Sequence, residues 1–409
     1  MRVWSLRTGD ANRPRFPPDV WLLGWVSLLT DAASEAIYPL LPFFLARTLG
    51  GGPAALGVIE GVAEGANSLL RVLSGRLSDR FRRHRALVIG GYAVSSLVRP
   101  LVAFAATWTH VLAVRFADRI GKGVRSAPRD ALLAYWAAPE DRGRIYGFHR
   151  AMDHAGAVIG PILATLFLLA APGQYRSLFL LTIVPGVLCI VLVMRIREPQ
   201  ALEVSSDVEK GVSPAIRVSR RLPRVFYGYL AIVFLFTLGN SSDAFLLLRL
   251  TDAAGGPEYI PLLWSGLHIV KAGLATVGGA LSDRVGRRPV LVVAWIVYAI
   301  VYGGFAVSSS FAALALWMAV YGVFFALAEG TERALVADLA PEELRGSAFG
   351  ILHAVVGFGS LAASVAFGAV WQGYGAPAAF TMGAALAIAA AVLLMFFGPA
   401  KAGPYVRRS

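Results

Sequence analysis

The sequence predicts an all-α polytopic membrane protein of twelve transmembrane helices, arranged as two pseudo-symmetric six-helix bundles. Three observations carry that expectation. The 409-residue chain is 57% hydrophobic and holds 43 glycines, with a mean hydropathy of +0.63, a composition for which the bilayer is the natural solvent. Apolar runs of roughly 20 residues, enough to cross about 30 Å of hydrocarbon, recur along nearly the whole length. The chain also resembles itself at an offset of 202 to 204 residues.

The apolar runs place spans over 19–46, 56–79, 87–107, 111–136, 145–171, 177–195, 225–249, 259–281, 289–308, 311–338, 346–371 and 376–398. The one long polar stretch separates an N-terminal half, 1–196, from a C-terminal half, 225–409, and 197–224 reads as a cytoplasmic linker. The repeat supports the division independently. GRLSDRFRRHRALV from 75 recurs as GALSDRVGRRPVLV from 279, and PEDRGRIYGF from 139 recurs, with one residue inserted, as PEELRGSAFG from 341. A parallel repeat of this kind places a substrate site between the halves near the bilayer midplane.

A net charge of +13 raises the question of nucleic acid, and the positions of the bases answer it. With the N-terminus in the cytoplasm, 25 of the 38 bases are cytoplasmic, 3 (Arg47, Arg176 and Arg249) lie outside, and 10 sit within spans. That positive-inside asymmetry predicts both termini in the cytoplasm and a multi-pass protein of the inner membrane; the bases face anionic lipid and no nucleic acid is expected. Residues 1 to 18 lack the pattern of a cleaved secretory signal, so the first span is expected to be retained. Cys189 is the sole cysteine and lies in an apolar run, which predicts packing rather than a disulfide or a metal cluster.

Ionisable groups in hydrocarbon are expensive unless paired or hydrated, so those within the spans are candidates for function. Basic and acidic residues there nearly balance, and mutual neutralisation is the competing reading. Asp31 and Glu35 in the first span, and Glu60 and Glu64 in the second, stand at i,i+4 and share a helical face. Stacked carboxylates favour a raised proton affinity, the property of a proton carrier. The fifth span offers His149 over Asp153 and Arg150 over His154, with Asp153 and His154 the deeper pair. In the fourth span Arg115, Arg119, Lys122, Arg125 and Arg129 fall within about 120° of one face, a stripe that either neutralises the acids or attracts an anionic or zwitterionic solute.

In the second half, Asn240, Ser241, Ser242 and Asp243 form a polar step where the seventh span can unwind into a cavity. His268 occupies the repeat position of Glu64, with Lys271 close by. Glu329, Glu332 and Arg333 lie in the tenth span, and the last two match Arg129 and Asp130 with charges reversed, which predicts cross-repeat pairing. Trp264, Tyr298, Tyr302 and Trp317 are read as lipid-facing or interfacial, with cavity walls as the alternative.

These residues resemble the major facilitator superfamily over essentially the whole chain. Its signature loop between the second and third helices fits in full at Gly279, Leu281, Ser282, Asp283, Arg284, Gly286, Arg287 and Arg288. The first copy, with Gly75, Leu77, Ser78, Asp79, Arg80 and Arg83, departs where Arg82 stands for glycine and His84 for a strong base. The resemblance implies a latch for alternating access built on these residues and on Asp130, with Asp79 facing a helix end, where the macrodipole favours a carboxylate. Arg119, followed by Lys122 and Gly123, is similar to the family's fourth-helix arginine motif, implicated in proton coupling. Gly147, Gly156, Gly160 and Pro161 are similar to its antiporter motif, a helix-packing device, although Ala164 and Thr165 replace the closing glycines.

The resulting expectation is a secondary active transporter working by alternating access, a proton-coupled exporter of a small solute by antiport, monomeric and without cofactor. Asp31, Glu35, Glu60, Glu64, Asp153 and His154 form the proton and substrate group, Arg119 tunes it, and Asn240, Asp243 and His268 face it from the other half. A proton-driven importer and a carrier of a metal or its chelate are the alternatives within the class, though no metal-ligand spacing is present. A solute receptor lacks an output domain, and no hydrolase motif, zinc motif or phosphate loop points to an enzyme.

Overall fold

Helix ends in the structure fall close to the apolar runs. The computed structural model describes residues 16–81, 84–136, 142–197, 222–341 and 344–398. Most of the expected linker, 198–221, lies outside them. Counting each interrupted helix once, the described residues form twelve helices. The first half contains α1 (Pro18–Thr48), α2 (Pro53–Phe81), α3 (His84–Phe104), α4 (Trp108–Trp136), α5 (Arg142–Ala170) and α6 (Tyr175–Met194). The second contains α7 (Arg224–Ala254), α8 (Ile260–Val285), α9 (Arg287–Val307), α10 (Phe311–Leu339), α11 (Arg345–Tyr374) and α12 (Ala376–Phe397).

Among the described residues, 9 helices are long and apolar enough to cross a membrane, or 10 if α8, bent by 43° between Leu274 and Val277, is taken as one span. The two that do not qualify are α2 and α4, and charge is the reason: α2 carries Glu60 and Glu64, and α4 carries the basic stripe. These two helices pack against each other. Arg115 meets Glu60 at 2.7 Å between them, so two segments too charged for lipid neutralise one another inside the bundle.

The internal repeat reappears in the packing. In the first half α1 packs on α5 and α6, α2 on α4, and α3 on α4 and α6; in the second α7 packs on α11 and α12, α8 on α10, and α9 on α10 and α12. Two long contacts, α2 on α11 and α5 on α8, join the halves and are themselves equivalent under the repeat. Small residues permit the close approach. A Cβ at Gly61 would sit 2.9 Å from the Leu361 carbonyl of α11, and one at Gly57 would strike Ser364. Gly156 and Gly160 of α5 likewise lie on the backbone of α1 at Leu28 and Ala32, whereas a Cβ at Gly147 would meet nothing. The expected packing motif is therefore narrower than the sequence indicated, because Gly147 faces no neighbour.

Each half is tied by an arginine reaching the last carbonyls of its sixth helix. Arg85 donates to Met194 and Ile196 at 2.9 and 2.6 Å, and Arg288 donates to Gly398 at 3.2 Å and to Met395. A cation is favoured there by the unpaired carbonyls and the helix dipole. Large apolar side chains are exposed along the outer helices, among them Leu163, Leu166, Leu188, Ile300 and Phe396, a surface suited to lipid. Tyr298 and Tyr302 are fully buried, stacked at 4.2 Å, and Trp264 is buried too, so the expected lipid-facing or interfacial placement of these rings is corrected. Tyr298 packs against Phe236 of α7 and Phe324 of α10, and Trp264 packs against Tyr38 of α1.

Candidate functional site

The chain of α7 stops being helical at Asn240 and resumes at Ala244, and the polar groups of the break find partners on both halves. Tyr298 donates to the freed Gly239 carbonyl at 3.0 Å, and Ser241 contacts the Tyr302 hydroxyl at 3.1 Å. Ser242 donates to Glu60 of α2 at 3.1 Å and accepts from the Ala244 amide at 3.3 Å. A serine has one hydroxyl hydrogen. With that hydrogen on Glu60, Tyr38 of α1 is the donor in its 3.3 Å contact with Ser242. Asp243 accepts from Tyr321 of α10 at 2.7 Å. The sequence-predicted unwound step is thus present, and its side chains converge with residues from α1, α2, α9 and α10.

Glu60 completes a chain between the halves. Its other oxygen meets Arg115, whose guanidinium also lies 5.3 Å from the centre of the Tyr38 ring. Arg99 and Asp118, buried at 3.0 Å, stand close by, and Arg99 also donates to the Thr30 carbonyl at 3.1 Å, fixing α1, α3 and α4. A small cavity of about 10 Å³ is lined by Ser34, Arg99, Arg115 and Asp118 together with Ile37, Val102 and Val114. Glu35 accepts from the Trp264 indole of α8 at 2.7 Å, and the Trp264 ring lies 5.1 Å from His268.

Three of the four acids expected on shared faces take hydrogen-bonding partners of their own. Glu35 turns to Trp264, Glu60 to Arg115 and Ser242, and Glu64 to Asn67 at 3.0 Å. Asp31 lies within electrostatic reach of Lys122, Glu35 and Asp153. Glu35 and Glu60 are each held by donors from other helices, whereas Glu64 keeps to its own helix through Asn67.

In α5, Asp153 accepts from Ser27 of α1 and lies 3.6 Å from His149, as the i,i+4 spacing predicted. His149 is buried, with Nε2 unpartnered among the described residues. Arg150 does not turn to His154. It meets Glu329 of α10 at 2.9 Å and approaches Asp153 at 3.9 Å, because α5 faces the second half along that edge. Arg333 holds the same Glu329 at 3.0 Å, so the cross-repeat pairing expected for Arg333 is replaced by a pair within its own helix. His154 and His268 face each other across the halves with ring centres 6.4 Å apart, and both nitrogens of His268 are buried without a partner among the described residues. Arg119 Nε is likewise buried without a partner. Lys271 lies over the Phe325 ring at 3.4 Å.

The second signature loop contains a network around Arg287, which reaches Ser282 at 2.7 Å, Asp283, and Asp338 of α10 at 3.4 Å. Arg284 is exposed, and a Cβ at Gly279 would meet nothing. Asp130 pairs with its neighbour Arg129 at 2.9 Å. In the first copy, Arg83 and the side chains at Gly75, Asp79 and Arg80 lie outside the described residues. Sequence reasoning did not single out Asp118, Arg99, Tyr38 or Tyr321. Asp118, one acid among the five bases of α4, was the available signal; the tyrosines carried none.

A family model described as Major Facilitator Superfamily matches residues 23–269 and 250–408. An uncharacterized MFS-type transporter of Methanocaldococcus jannaschii is 33% identical over 399 residues, covering 96% of this chain and 98% of the relative. An uncharacterized protein of Mycobacterium tuberculosis is 29% identical, covering 83% of each. The crystal structure of the nucleoside transporter NupG has a TM-score of 0.73 at 14% identity, covering 93% of this chain and 98% of its own, a likeness of fold alone.

Proposed function

Because the chain belongs to the major facilitator superfamily and is a membrane transporter, we propose that it couples proton movement to the export of a small solute by alternating access, as an antiporter. The observation that carries this reading is the set of N-half acids engaged by C-half donors: Glu60 with Ser242 and Glu35 with Trp264. A proton or solute that changes the charge of Glu35 or Glu60 alters a bond between the halves, which is what coupling requires. Asp31, Glu64, Asp153, His154, Arg119, Asn240, Asp243 and His268 complete the proposed proton and substrate group.

The moving bodies are residues 1–196 and 225–409, joined by 197–224, with the Asp283–Arg287–Asp338 network and its first-half counterpart as latches. Both termini lie in the cytoplasm of a cell whose inner membrane holds the protein as a monomer. The test is neutralisation of Asp31, Glu35 and Asp153 together in proteoliposomes. Loss of solute-driven proton flux is expected; intact coupled flux sinks the assignment.

A further inference from the structure

Trp264, His268 and Lys271 stand at i, i+4 and i+7 of α8 and form one stripe along the helix. The stripe lies on the seam between the halves. Trp264 donates to Glu35 of α1, the His268 ring stands 6.4 Å from that of His154 in α5, and the Lys271 ammonium covers the Phe325 ring of α10. His154, His268, Lys271 and Phe325 are each only partly buried.

The acids within electrostatic reach of these bases already have donors. Glu35 takes the Trp264 indole, Asp243 the Tyr321 hydroxyl, Asp153 the Ser27 hydroxyl, and Glu329 both Arg150 and Arg333. The bases have no acceptors. Among the described residues Lys271 makes no hydrogen bond or ion pair, His154 makes only its ring contact and a long-range electrostatic one, and both nitrogens of His268 are buried without a partner. An ammonium presents three donors and an imidazole at least one, and leaving such groups unpaired inside a protein is costly.

The stripe is therefore suited to a group rich in acceptors, an oxyanion. Lys271, Arg150 and Arg333 only balance Glu35, Asp243 and Glu329, so there is no excess of positive charge for a phosphate dianion, and a singly charged carboxylate fits better. Trp264 beside His268 and Phe325 beneath Lys271 supply apolar walls for the carbon body attached to it.

We propose that the transported solute carries a carboxylate, and that Lys271, with His268 and His154, binds that group between the halves. This rests on the reading that the solute occupies the seam, and is independent of the direction in which protons move.

Thermal unfolding of the detergent-purified full-length protein tests it with a panel of monocarboxylates, dicarboxylates and amino acids, aliphatic and aromatic, each beside its methyl ester. At least one acid is expected to raise the melting temperature where its ester does not. Lys271→Met and His268→Gln each weaken binding of that acid about tenfold, the factor for one hydrogen bond to a charged group. Lys271→Arg keeps the preference for acid over ester. If Lys271→Met does not fold, Lys271→Arg and His268→Gln decide. A lysine that serves only to balance the acids lowers the melting temperature when replaced and leaves the acid's affinity unchanged. That result, an ester binding as well as its acid, or a panel in which no acid binds, overturns the proposal. Proton flux is not the readout, so failure of the antiport reading leaves this outcome standing.

Discussion

Arg115 and Glu60 are each more than nine-tenths buried and meet at 2.7 Å, so neither tolerates loss of the other. Removing one member of a buried pair leaves an uncompensated charge, at a cost of about 3–5 kcal/mol, whereas replacing both with neutral groups costs much less than the sum. Arg115→Met is expected to lose stability in that range, with the Glu60→Gln/Arg115→Met double variant recovering a large part. Denaturation in detergent micelles measures both; additive losses would show that the pair is not coupled. The same residues mark the limit of sequence reading. Acids and bases in the spans were visible by charge alone, but which donor each acid takes was not. Trp264 lies 229 positions from Glu35, and Ser242 lies 182 from Glu60. No local period encodes contacts over such separations.

At the scale of elements the sequence is far more legible, because the bilayer sets span length and lipid-facing surfaces must be apolar. The unwound step in α7 was readable as well, from four consecutive polar residues inside an apolar run. The division of labour among glycines was not: Gly147 and Gly156 look alike in sequence, and only helix packing distinguishes them. Gly286 is a case where the residue type is dictated. It links α8 to α9 at φ +106° and ψ 152°, a conformation open essentially to glycine. Gly286→Ala is expected to cost about 1–3 kcal/mol and to weaken the Arg287 network beside it. A melting temperature unchanged from wild type would contradict this account of the turn.

For the whole molecule, the repeat in sequence becomes a repeat in packing, with α2–α11 and α5–α8 as equivalent seams between the halves. The α2–α11 seam is a tight contact of α2 glycines on α11, while beside the α5–α8 seam Arg150 reaches Glu329 of α10. Rearranging two such bodies breaks a small set of bonds at once, among them Ser242–Glu60, Trp264–Glu35 and Arg150–Glu329. Small residues along the α2–α11 seam let the two helices approach without large side chains interlocking.

In the proposed function, solute movement and proton movement are linked through the acids between and beside the halves. Proton flux into liposomes containing the purified protein, under an imposed pH gradient and across a panel of solute classes, measures that link directly, with Asp153→Asn alongside wild type. The account predicts solute-dependent proton movement in the wild type that is lost in the variant. Solute transport unaccompanied by protons, or equal coupled flux in both proteins, would contradict it.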